Sequence, residues 1–590
     1  MGAALSSKSA RSATDQAAAI GVAAHNVEER LLASIGAAGP VEPHFSPAAD
    51  VAQAGVLCAL PALVSCGLLH SANDHLALPK GYYGLPSIVM LLAFLALARV
   101  RSLESLRYHA PGEWGKILGL DRIPEVRTLR EKVAALSTGD RVEHWQAALS
   151  QQWMESNAES AGTLYVDGHV RVYHGSQTQL PRRYVARQRL CLRGTTDYWV
   201  NAFDGQPFFV VSKEVDPGML QVIETDLVPR LEREVPGQPS AEELAADPFK
   251  ARFTMVFDRA GYSPPFFKRM WSKRIACLSY HKHPQEDWPP EQFHSCPVPL
   301  ASGEVVEMQL AERGIDLSGV LWLREIRKLT EGGHQVSILS TDYCRPMAPL
   351  AGALFARWSQ ENFFRYMMEH YALDRIIAYC TEPIPDLTRV VNPAYRELDG
   401  QLRSTRGQLS RRMAEFGALS LEQPIETRAV ERWEQKKAAL QEPIVELQAL
   451  IEQLKHHRKE VARHVEFKEL PPPSRFQRLS RHSKQFIDTI KMIAYRAETA
   501  MLHVLRDKMA RHDDARRLLC AIYRNDADLI PNPVAGTLRV RLHHLANRIT
   551  DAALYHLCDQ LNATETLFPG THLRLVYELV SPQNPRDQEV

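Results

Sequence analysis

Three carboxylates in this chain fall where acids are costly or where they can be aimed. Asp167 sits inside an apolar run, 163–173, whose Leu164, Val166, Val170 and Val172 are the residues of a half-buried strand. Such an acid must be hydrogen-bonded, paired or bound to a metal to offset its burial. Asp258 ends a second strand-like run, 253–257, and Glu361 lies on a helical stretch from about 346 to 371. One acid from each of three elements is the donor set that two-metal phosphodiester chemistry requires. Two Mg²⁺ or Mn²⁺ ions about 4 Å apart prefer carboxylate and phosphate oxygens and stabilise both the attacking and the leaving oxygen. Asp167 is the acid expected to serve both ions, with Asp258 and Glu361 holding one each. Gly168 beside it leaves room for a phosphate to approach the backbone.

These acids need a scaffold that brings them together. Strand candidates at 163–173, 189–201, 207–211, 253–258 and 274–280 alternate with helices near 219–234 and 265–272. The order strand-strand-strand-helix-strand-helix-strand predicts an α/β RNase H-like core. In that order the first and fourth strands are neighbours, which would join Asp167 to Asp258 although 91 residues separate them. Residues 160–282 would form the first part of the core and 283–345 a β-rich insertion. Residues 346–392 would complete the core with the helix of the third acid. Asp197, after Thr195 and Thr196, reads as structural, at a strand–strand contact.

The motifs are Tyr165-Val166-Asp167-Gly168-His169-Val170, then Asp258-Arg259-Ala260-Gly261-Tyr262-Ser263, then Arg357-Trp358-x-x-Glu361-Asn362-x-Phe364. Together they resemble those of bacterial insertion-sequence transposases of the DDE type, and stretches 111–133 and 536–576 are similar to that group as well. The resemblance implies Asp167, Asp258 and Glu361 as catalytic and metal-binding residues, with two divalent ions. It also implies cleavage at the ends of a mobile element followed by strand transfer into target DNA. Two departures stand out. Ala260 interrupts the second motif, and Leu354 and Met368 occupy the places of a Tyr and a Lys around the third acid. Arg357 keeps its place, Arg365 is a substitute contact one helical turn from Glu361, and Glu369 is the alternative third acid. Arg259 flanks the second acid as a further phosphate contact, and His169 flanks the first.

The flanks follow from composition. Residues 1–45 are Ala/Ser-rich and expected to be poorly ordered. Residues 46–150 read as helical, and the apolar runs at 54–69 and 87–98 fall short of the roughly 20 residues a membrane span needs. A short helix, a Gly-containing turn and a second helix at 111–130 form a candidate helix-turn-helix, with Arg122, Arg127 and Arg130 toward DNA. Apolar spacings of three and four from Trp433 to Val465 predict a coiled-coil hairpin across 393–470, kinked at Pro443. The net charge of +1 conceals a basic stretch, 451–524, with 17 Lys and Arg against 9 Asp and Glu. Residues 475–590 are therefore expected to form a basic helical and mixed domain that neutralises phosphates. Nine cysteines without a CxxC pair suit a reducing cytoplasm. The expected partners are element ends and target DNA, with a homodimer on DNA and no membrane. The rival functions are an RNase H-like nuclease without strand transfer and an inactive DNA-binding scaffold.

Overall fold

The computed structural model describes residues 26–580, apart from 176–177, 186–187, 189, 301–302, 318, 356–357, 376–380, 420–426, 507, 509–511 and 546; side chains at 260, 358–361, 427–429 and 512–513 are likewise left aside. A helix, Val27–Ser34, opens it within the stretch expected to be poorly ordered, with Arg30 paired to Asp121, and a short strand, β1 (Ala48–Val51), follows. The apolar run behind it breaks into a 3₁₀ turn, Ala54–Ala59, and a helix, Leu60–Ser65, because Pro61 is accepted only in a first helical turn. Helix α1 (Leu85–Leu97) is apolar on every side and buried nearly throughout, as a core helix must be. Among the described residues no helix is long and apolar enough to cross a membrane. Helix α2 (Pro111–Ile117) starts on its proline, and α3 (Val126–Leu136) buries Leu129, Val133 and Leu136 at spacings of four and three. Gly119, at φ +66°, makes the turn between them, a backbone conformation other residues adopt only with strain.

The centre is a ten-stranded sheet. Its strands are β2 (Thr163–Val172), β3 (Arg182–Val185), β4 (Leu190–Asn201), β5 (Pro207–Lys213), β6 (Thr254–Phe257) and β7 (Ala276–Tyr280), followed by β8 (His294–Pro299), β9 (Val305–Leu317), β10 (Leu321–Leu329) and β11 (Gln335–Ser340). The spatial order β5-β4-β2-β6-β7 has the first three strands antiparallel and β2, β6 and β7 parallel, while β3 pairs with the start of β4. The remaining strands extend the same sheet, through β11 against β7 and then β10, β9 and β8. The β-rich segment thus continues the central sheet, held to it by three residue pairs at Leu278–Tyr280.

Helix α4 (Met347–Phe355) covers the Tyr165, Val256 and Leu278 face of this sheet. Its Ala353 carbonyl accepts the Tyr165 hydroxyl at 2.5 Å. Helix α5 (Trp358–Tyr371) follows. The long helices α6 (Pro393–Ala418) and α7 (Thr427–Glu460) form an antiparallel hairpin around Leu402, Ile451 and Leu454. Arg458 reaches Asp399 at 2.6 Å near its root. The helix runs through Pro443 and ends at Glu460, so Val461 and Val465 lie beyond the seam.

Helix α8 (His482–Arg506) takes part of the basic stretch into the core. Lys484, Lys491 and Arg496 point inward, each less than a tenth exposed. Lys484 pairs with Asp488, while Arg496 donates to the Pro207 carbonyl at 3.0 Å and lies 4.6 Å over Trp153. Counting charge along the chain does not reveal which charges are buried and paired, and here the long alkyl stems carry cations into the core. Helix α8 is the spine of the molecule, packed against α1, α3 and β5. After it come three strands, Ala527–Asn532, Thr537–Leu542 and Arg574–Leu579, which with β1 make a four-stranded second sheet. There β1 pairs with a C-terminal strand, Ala527–Asn532, so the two ends of the chain share one layer.

Candidate active site

Asp167 and Asp258 are brought together by register. Strands β2 and β6 run parallel with Thr163 opposite Thr254 and Val166 opposite Phe257. Continuing one residue along each strand sets Asp167 beside Asp258, on chains spaced about 4.8 Å apart. Alternation along a strand puts Asp167 on the face of Tyr165, and Asp258 on the face of Val256. Both tyrosine and valine belong to the cluster under α4. Both aspartates are half-buried and line one cavity of about 1720 Å³.

Local backbone geometry orients each acid. Asp167 Oδ1 accepts the amide of Gly168 at 2.8 Å. Asp258 caps a single 3₁₀ turn, Arg259–Gly261, taking the Arg259 amide at 2.6 Å, and its carbonyl accepts the Ser279 hydroxyl at 3.3 Å. Gly168 has a packing role as well. A Cβ there would meet the Tyr198 ring at 3.1 Å, on the face opposite Asp167. The vacant side-chain position lets Tyr198 pack closely, and Gly168 also borders the cavity.

Glu361 lies on α5, and its side chain is outside the described residues, as is all of Arg357. The helix itself is well anchored. Phe364, one turn on, stacks on His169 at 5.6 Å, and Phe363 packs against Trp199 at 5.4 Å. His169 is two residues beyond Asp167 on the same face, and Trp199 is directly opposite Asp167 on the neighbouring strand. The α5 backbone at Glu361 is therefore one turn from a helix–sheet contact beside Asp167. Glu369, the alternative acid, is exposed next to His370.

The candidate DNA contacts divide. Arg259 and Arg365 are exposed. Arg127 is exposed with Glu131 at 3.1 Å, and Arg130, paired with Glu104, lines the cavity of the two aspartates. Arg122 is not a surface cation: its side chain is 5% exposed and donates to Glu125 at 3.1 Å. The lack of a side chain at Gly115 lets the Arg122 backbone pass close by, where a Cβ would meet it at 2.7 Å.

Sequence reasoning passed over Lys491, Asp374 and His370, which line the same cavity. Lys491 donates to the Ala372 carbonyl at 3.2 Å. Burial first, then the Lys484 charge, pulls its ammonium down to about 7. Its signal in the sequence was a lysine on the apolar face of a strongly amphipathic helix, hidden within a count of basic residues. His370 is also pushed below its ordinary value, by burial and then by Arg99. Elsewhere, among the described residues, Asp50, Asp528 and His543 are close enough to share one ion.

No curated protein matches the chain. Among solved structures it is similar to a piggyBac transposase synaptic complex with hairpin DNA, at 10% identity over 82% of this chain and 86% of that one. The TM-score is 0.29, too loose a superposition to locate any residue. The family comparison is firm: residues 21–581 match the model of a family described as transposase protein, and the chain belongs to that family.

Proposed function

We propose that this protein is a DNA transposase of the DDE type with an RNase H-like core, and that Asp167, Asp258 and Glu361 are its acids. The observation that carries the proposal is the common register of Asp167 and Asp258 on adjacent parallel strands, opening into one cavity. An all-carboxylate donor set suits a hard divalent ion. Mg²⁺ or Mn²⁺ bound there would supply Lewis-acid stabilisation to phosphate oxygens. Asp167, fixed in a central strand, holds the shared position; Asp258, fixed by its own turn, holds the second; α5 delivers Glu361 as the third. Arg259, Arg365 and Arg130 are the cations at hand for DNA phosphates, and their contribution is salt-sensitive. Bringing two element ends together calls for two copies of the chain. The α6–α7 hairpin, with Met413 and Val445 exposed, is the surface suited to that contact.

The test supplies precleaved element ends and target DNA with Mg²⁺. Joined products are expected. Cutting without joining would identify a nuclease, and DNA binding with neither step would identify an inactive scaffold.

A further inference from the structure

Helix α5 is held at its far end by a buried carboxylate from another part of the chain. Glu498, on α8, is wholly buried. Its Oε1 accepts the Tyr366 hydroxyl at 2.5 Å and Arg99 Nη2 at 2.7 Å, and its Oε2 accepts the Tyr371 hydroxyl. Arg99 follows the end of α1 and also donates to Tyr366 Oη at 2.9 Å. The Arg99 guanidinium lies 4.4 Å over the Tyr371 ring, and Arg516 lies 4.3 Å over that of Tyr366. Burial alone would raise the Glu498 carboxyl. The Arg99 charge and its hydrogen bond outweigh burial, and the group titrates below its usual range.

This cluster is expensive to build. A buried charge is tolerated only when its partners are complete, and truncating one partner is strongly destabilising. An apolar residue would fill the space between α5 and α8 without that demand. What a carboxylate adds is direction. Apolar packing lets a helix slide or roll a little, whereas two hydroxyls donating to two oxygens of one group fix both its rotation and its position along the axis. Tyr366 and Tyr371 lie five and ten residues after Glu361 on the same helix. With Phe363 and Phe364 seated on the sheet, the two tyrosines leave α5 one orientation.

We propose that Glu498 is a positioning residue for the metal site. It locks α5, the helix that carries Glu361, through Tyr366 and Tyr371 in one rotation against the sheet of Asp167 and Asp258. This rests on the reading of Glu361 as the third acid, and the experiment separates the two. Mn²⁺ binding to the full chain is titrated by loss of the free-ion electron paramagnetic resonance signal, with no DNA present. Glu361→Gln is the benchmark and should weaken binding; Mn²⁺ binding like that of the unaltered chain would overturn the third-acid reading, and this inference with it. Glu498→Gln keeps the shape of the side chain and removes its charge. It should weaken Mn²⁺ binding about tenfold, in the range seen when outer partners of a metal ligand are altered. Binding unchanged in Glu498→Gln but weakened in Glu361→Gln would overturn the positioning role and leave Glu498 as core structure alone. Should Glu498→Gln fail to fold, Tyr366→Phe removes one hydroxyl and keeps the ring. Weakened Mn²⁺ binding in that variant supports the inference, and unchanged binding overturns it.

Discussion

Asp167 and Asp197 lie on paired strands, on one face of one sheet, and meet different surroundings. His169 is directly opposite Asp197 in the β2–β4 register, two residues from Asp167. Asp197 is completely buried; Arg171 donates to both its oxygens, one at 2.8 Å, and Ser212 donates to it at 2.6 Å. Burial works to raise its carboxyl, but the Arg171 guanidinium prevails and holds it below the ordinary range. Asp167 is half-buried and borders the large cavity. The residue type and the strand context are alike. What differs is the cover: the buried Lys484 of α8 adds its positive charge to the surroundings of Asp197, while Ile487, Ile490 and Lys491 of the same helix line the cavity instead. An acid under close cover is committed to its own protein; an acid at the edge of that cover can serve a ligand.

The comparison breaks most sharply on activity. Asp167→Asn should reduce Mg²⁺-dependent cleavage of end DNA to background, with binding of that DNA retained in a gel-shift assay. Undiminished cleavage would place Asp167 with Asp197 as a structural acid. Asp197→Ala should act on stability instead, costing about 3–5 kcal/mol by leaving Arg171 charged and unpaired. The check is a denaturation midpoint, together with cleavage measured per folded molecule, which should persist.

A smaller, pH-dependent effect tests the boundary between the two environments. Lys491 borders the cavity yet is buried enough that its ammonium titrates near 7, against an ordinary value of 10.5. Below about 7 the group is charged in both folded and unfolded chains, and the folded chain bears the full cost. Between about 7 and 10.5 only the unfolded chain holds the proton, so that cost declines as pH rises. Lys491→Met should therefore raise the unfolding midpoint at pH 6, with the gain shrinking toward pH 10. A gain that is constant with pH would mean the site does not disfavour the charge.

Much of the core was legible before any coordinates. The strand runs around Asp167 and Asp258 and the helix of Glu361 follow from apolar periodicity, which is a local property. Their neighbourhood followed from element order, and the β2–β6 pairing places the two aspartates in one register. Charge counted along the chain did not show that Arg122 and three cations of the basic stretch, Lys484, Lys491 and Arg496, are buried, while Arg475, Arg506, Lys508, Arg517 and Arg524 stay at the surface. Arg122 is taken up by Glu125 and Lys484 by Asp488.

The sequence by itself determined the candidate acids and the elements that carry them, because side-chain type and period act within a few residues. Only the tertiary structure decided which acids face a cavity and which are neutralised by a neighbour. It alone joined Glu498 to Tyr366 and Tyr371 across more than a hundred residues of chain. Burial and pairing depend on groups distant in sequence, and a charge becomes a ligand or a strut according to what packs over it.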